Sequence, residues 1–238
     1  MKTSAMSLLF AVTLVVYVGV AIFFAFPPVA VFAIDSDVGQ GRFILGGTAE
    51  GAVDPADSGN KVVRMDVSAT TFGFVSRNLD KGTQVEGLSN QLSFHFRFAT
   101  GGSCGGGSPR YQLAIDTDGD GVSNGNAFGH AGPFPSFTGC PDDTWLFEDL
   151  TDTAMRWDLT QFNDELTAIS QPSVGTLCGS FVCTWGQVLT VFGNFPNHRV
   201  LTGALVDDTF PGSGRGVGFG FYDNIEIGGR KLQSLPQQ

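Results

Sequence analysis

Residues 91–100 read Gln-Leu-Ser-Phe-His-Phe-Arg-Phe-Ala-Thr, and their alternation decides the fold: Leu92, Phe94, Phe96 and Phe98 fall on one side, Ser93, His95 and Arg97 on the other. A repeat of two with one apolar face marks a half-buried antiparallel strand. The same pattern recurs outward in both directions. KVVRMDV (61–67) sets Val63, Met65 and Val67 against Arg64 and Asp66, and RYQLAID (110–116) aligns Tyr111, Leu113 and Ile115. Further strands are expected at 41–45, 71–76, 144–150 and 198–206, with a pair over 217–229. Short strands bounded by Gly, Asn, Asp and Pro clusters indicate an all-β fold, a two-sheet antiparallel sandwich.

One short helix is expected among them. Thr184-Trp-Gly-Gln187 has the capping-box form, and Trp185, Val188, Leu189 and Phe192 follow at helical spacing, with Gly193 at the stop. Residues 153–169 satisfy both periods; a strand is expected over 155–159, although Phe162, Leu166 and Ile169 also share a helical face.

Composition narrows the function classes. The chain has 238 residues, with 13 Lys plus Arg against 23 Asp plus Glu and a formal charge of −10. Binding nucleic acid through phosphates, or a membrane through a polybasic patch, needs clustered cations that this chain lacks. Disorder is excluded by the 22 Phe, seventeen of which lie beyond residue 33. The 33 Gly are about twice the usual share.

The amino end explains part of the hydrophobicity. An apolar leader helix is expected over 8–26, behind Lys2 and before Pro27 and Pro28, with small residues at Val31 and Ala33. This describes either a secretory signal peptide cleaved after Ala33 or, at nineteen residues, an uncleaved transmembrane anchor. Residues 1–33 are thus leader and 34–238 a single sandwich domain, secreted or at the cell surface. Contact with a membrane is expected only through the leader. Cys104, Cys140, Cys178 and Cys183 are an even set in an exported chain, so disulfides are expected. Three pairings exist; joining nearest neighbours gives Cys104–Cys140 and Cys178–Cys183.

The sharpest local motif is DTDGDGVSN (116–124). Asp116, Asp118 and Asp120 alternate ahead of Gly121, and a hard cation such as calcium is held by oxygens that converge when a chain curls. Asn124 is the expected fourth ligand, and any role is structural. The competing reading is a solvated hairpin turn, since Asp-Gly and Asn-Gly are turn formers. Trp145 and Trp157 are the candidate ligand-binding aromatics, able to stack on a sugar ring, with core packing as the alternative for both.

No catalytic residue is assigned. Glu148 and Asp149 are adjacent, as are Asp164 and Glu165, so neither pair shares a strand face. The three His are isolated, His95 being expected in solvent beside Arg97, and no Gly-x-Ser-x-Gly elbow occurs. Gly214-Arg-Gly-Val-Gly218 has no helix after it, which removes a phosphate cradle.

Two resemblances follow from these residues. The loop from Asp116 resembles EF-hand, dockerin and thrombospondin type 3 calcium loops over about nine residues, but Ala127 stands at the twelfth place, where such loops carry Glu. The closing stretch GFGFYDNIEIGG (218–229) resembles the end of jelly-roll and concanavalin-type sandwich modules. That resemblance implies carbohydrate binding, adhesion or hydrolysis, with calcium fixing a loop. The expected function is therefore a non-catalytic exported module that binds a glycan or surface ligand. The alternatives are a structural or adhesive envelope protein, or a hydrolase whose carboxylates come from distant strands.

Overall fold

The computed structural model describes residues 32–33, 42–68, 70–106, 108–208, 218–232 and 235. The expected leader helix and the glycine-rich stretch 214–217 lie outside them. Among the described residues no helix is long and apolar enough to cross a membrane.

Fourteen strands form among these residues: β1 (Phe32–Ala33), β2 (Ile44–Gly47), β3 (Glu50–Val53), β4 (Lys61–Val67), β5 (Phe72–Asn78), β6 (Leu92–Phe98), β7 (Arg110–Asp116), β8 (Gly125–His130), β9 (Leu146–Asp149), β10 (Arg156–Asp158), β11 (Val182–Cys183), β12 (Arg199–Asp208), β13 (Gly218–Ile227) and β14 (Arg230–Lys231). They build two antiparallel sheets. The larger runs β1-β2-β5-β12-β7-β8-β10-β11, and the smaller β3-β4-β13-β6-β9 with β14 on β13. Phe94, Phe96 and Phe98 of β6 are fully buried, as are Tyr111 and Leu113 of β7. The alternating faces thus meet between the sheets, and the all-β sandwich read from the sequence is the fold.

Hydrogen bonds pin the sheets together inside this apolar layer. The Tyr111 hydroxyl donates to the Glu226 carbonyl at 2.8 Å, with the Ser93 carbonyl at 3.0 Å. Arg77, almost fully buried, points inward from β5 and donates through Nη1 to the Ile227 carbonyl at 2.6 Å. Burial pulls its guanidinium below the usual arginine range, and Asp80 opposes that pull.

The expected pair of strands over 217–229 is one strand, β13, with a break in register between Asp223 and Glu226. Asn224 takes φ +49° there, a left-handed conformation that Asn tolerates, and this splits the apolar pattern in two. The strand expected over 155–159 is present as β10. Helical spacing immediately beyond it also has a cause: a 3-10 turn at Thr160–Phe162 leads into α1 (Asn163–Ala168). A second helix, α2 (Val174–Cys178), had no sequence signal.

The expected helix is α3 (Trp185–Phe192), and both halves of its capping box form. Cys178–Cys183 ties α2 to β11 beside it, and Cys104–Cys140 joins the loop after β6 to the loop after β8, so both nearest-neighbour pairings occur. The helical cap packs on β10 through Trp157 and Trp185, whose centroids lie 5.4 Å apart. The Trp157 ring in turn lies on Gly129 of β8, where a Cβ would come within 2.6 Å of it. Gly129→Val should therefore overpack this contact and cost about 1–3 kcal/mol, read as a lowered midpoint in urea unfolding at unchanged slope.

Candidate functional site

The acidic loop joins β7 to β8, and its first residue is the most enclosed. Asp116 is fully buried at the end of β7. Its Oδ1 accepts the backbone N–H groups of Asp118 (3.1 Å) and Gly119 (2.6 Å), and its Oδ2 that of Gly121 (2.7 Å). Burial works to raise this carboxyl, but the backbone donors, Gly121 foremost, outweigh it and hold the group below the ordinary carboxylate range. Asp118 and Asp120 repeat the device on a smaller scale, accepting from Asp120 N–H and Val122 N–H. Asp116, Asp118 and Asp120 come together, with one ligand oxygen from each lying within 4.8 Å of the others. Asn124 plays a different part, since its Oδ1 accepts the Thr117 N–H at 2.7 Å and closes the base of the loop.

The aromatic candidates separate. Trp157 is a correction: it is fully buried, its Nε1 donates to the Leu150 carbonyl at 2.7 Å, and no face is left for a ligand. A bulky ring at the centre of a three-residue strand under a helical cap is core, as its β10 neighbours dictate. Trp145 is half-buried in the loop before β9. His95 is not free in solvent but half-buried, with its ring 5.0 Å from that of Phe147.

The structure instead places a cavity of about 350 Å³ on the outer face of the large sheet, lined by Phe72, Phe74, Ser76, Arg110, Gln112, Ala204, Val206 and Asp208. Register explains it. Val206 is opposite Phe74 on one side and Arg110 on the other, and Ala204 is opposite Ser76 and Gln112. Small side chains on the middle strand β12 form the floor, and larger ones on β5 and β7 form the walls. The β7 wall is polar and ordered. Arg110 makes a bidentate pair with Asp208 at 2.7 and 2.8 Å and lies over the Phe128 ring, and Gln112 donates to Asn126 at 3.1 Å. The size is that of a small-ligand site. All of these residues except Asp208 lie on strands already legible in sequence, at 71–76, 110–116 and 198–206; what sequence lacked was the strand order that makes them neighbours.

Elsewhere, Glu148 and Asp149 sit on β9 opposite Phe94 and Ser93, so they face opposite sides as expected. Burial pushes the Glu148 carboxyl up, partly offset by the Gly132 N–H it accepts. Compared with known protein families, curated proteins and solved structures, the chain matches none.

The loop carries a test of its own. Asp116→Asn exchanges an acceptor oxygen for a donor among backbone N–H groups and should cost about 1–3 kcal/mol. Because the folded carboxyl lies below its unfolded value, its stabilisation is present above about pH 4 and lost as pH falls through the lower folded value. Chemical unfolding across pH 2–6 should show that acid-dependent loss in the native chain and a flatter profile in the variant.

Proposed function

We propose that this chain is an exported, non-catalytic β-sandwich module that binds a glycan on the outer face of its large sheet. One observation carries the reading: a ligand-sized cavity with an aromatic wall, Phe72 and Phe74, facing a polar wall, Arg110 and Gln112, across a floor that ends in Asp208. Sugars present both apolar C–H faces and a rim of hydroxyls, and a site needs both kinds of wall to hold them. Export is supported by the two disulfides, which persist in oxidising compartments, together with the apolar leader.

A structural calcium ion held by Asp116, Asp118 and Asp120 belongs to the same proposal. Three carboxylates gathered this closely repel one another, and a divalent cation relieves that repulsion with the hard oxygen ligands it favours. The ion would stiffen the turn between β7 and β8, the strands that carry Arg110, Gln112 and Phe128.

A glycan array probed with the native chain and with Ala204→Trp tests the site. The native chain should bind, and the variant, whose indole fills the floor, should lose about tenfold or more in affinity with its melting temperature retained; absence of binding by the native chain would remove the reading. For the ion, the melting temperature should be higher in calcium than in chelator, and equal values would sink it.

A further inference from the structure

The two rings of the aromatic wall have an arrangement that goes beyond a generic apolar surface. Phe72 and Phe74 occupy outward positions i and i+2 of β5, with centroids 6.1 Å apart and planes within 19° of parallel. That spacing is close to the two-residue repeat of a strand, about 6.6 Å, so the two near-parallel rings follow one another along β5. Phe74 also reclines. Its Cζ lies only 2.1 Å from where a Cβ on Gly46 would stand, with both Cε atoms within 2.8 Å, so the ring extends over the neighbouring strand β2. Only glycine at position 46 leaves room for it. The result is a pavement of two half-exposed rings following one another along β5.

The charge facing this pavement is already cancelled. Both Asp208 oxygens accept from Arg110, so that guanidinium is satisfied by a bidentate partner. Ser76 and Gln112 add uncharged hydrogen-bonding groups.

We propose that the ligand is a neutral, linear oligosaccharide of β-linked, all-equatorial pyranose units, with two successive sugar rings lying on Phe72 and Phe74. This rests on the glycan-binding reading above and narrows it. An all-equatorial pyranose offers a flat C–H face to an aromatic ring, whereas an axial hydroxyl holds the sugar away from it. A pavement of two rings matches a chain and not a single sugar. An acidic sugar would have to bring a carboxylate against an Arg–Asp pair with no net charge, at a desolvation cost without compensation. A formal charge of −10 adds long-range repulsion of any polyanion. The equatorial hydroxyl rim then meets Ser76, Gln112 and Asp208 across the floor of Ala204 and Val206.

Titration calorimetry on the full chain, with β-linked glucose oligomers from the monosaccharide to the hexamer, tests this. Equal-length α-linked glucose and β-linked uronic acid oligomers serve as comparisons. Affinity should rise about tenfold from one unit to two and then level off, and both comparison series should bind more weakly by a similar factor. Phe72→Ala and Phe74→Ala should each lower affinity for the trimer about tenfold. Phe74→Leu keeps apolar bulk without a flat face, so the fold is retained and binding should still fall. Tighter binding of the uronic series, affinity independent of length, or native affinity in Phe74→Leu would overturn the proposal and leave the glycan site standing. No binding of any saccharide would overturn both.

Discussion

The contact between the two inner faces is the constraint on which this molecule rests. Phe94, Phe96 and Phe98 form a rank along β6, with neighbouring centroids 5.6 and 5.4 Å apart, and Phe94 meets Tyr111 of the opposite sheet edge-on at 5.5 Å. Each ring removed from water contributes about 1.5–3 kcal/mol, and the geometry adds more through edge-to-face contact. Because that layer claims the inward positions of the central strands, the outward ones are left to solvent. The groove follows as a consequence. Phe72, Phe74, Arg110 and Gln112 face outward because Gly73, Val75, Tyr111 and Leu113 face in.

The ends of the sandwich are secured by other means. On the chain-entropy model the Cys104–Cys140 loop, 36 residues apart, is worth about 4 kcal/mol and the five-residue Cys178–Cys183 loop about 2 kcal/mol. The first braces irregular chain that leads towards β7, and the second braces the helical cap. These devices are placed where strand alternation stops and hydrogen-bond ladders no longer hold the backbone. Arg77 fits the same pattern, as a buried cation that ties the end of β5 to the carbonyl oxygens of Ile227, the last residue of β13, and of Gly228 just beyond it.

The acidic loop and the polar wall of the groove share one hairpin. β7 contributes Arg110 and Gln112 to the groove and ends in Asp116, while β8 begins after Asn124 and supplies Asn126 and Phe128. The loop and the polar wall are therefore joined through the same two strands. Backbone N–H groups already close the turn around Asp116, so its shape is set by hydrogen bonding, and a cation would act on carboxylates brought together by that shape.

The amino-acid sequence alone determined what depends on near neighbours. The period-two strands at 61–67, 92–98 and 110–116, the capping box at Thr184 and Gln187, and the curled Asp loop are local patterns, and each forms. The nearest-neighbour disulfides follow because short loops bring their ends together most readily. What sequence could not supply was which strands lie side by side. Alternation assigns a residue to a face but not to a neighbour, so Trp157 reads as a surface aromatic until β10 is placed beneath the helical cap. The same limit hides Phe72 and Phe74. They come to line one groove with Arg110 only because β12, more than 120 residues away, inserts Ala204 and Val206 between them. That pairing is decided by how two complete apolar faces close on each other, a property of the whole chain that no local window contains.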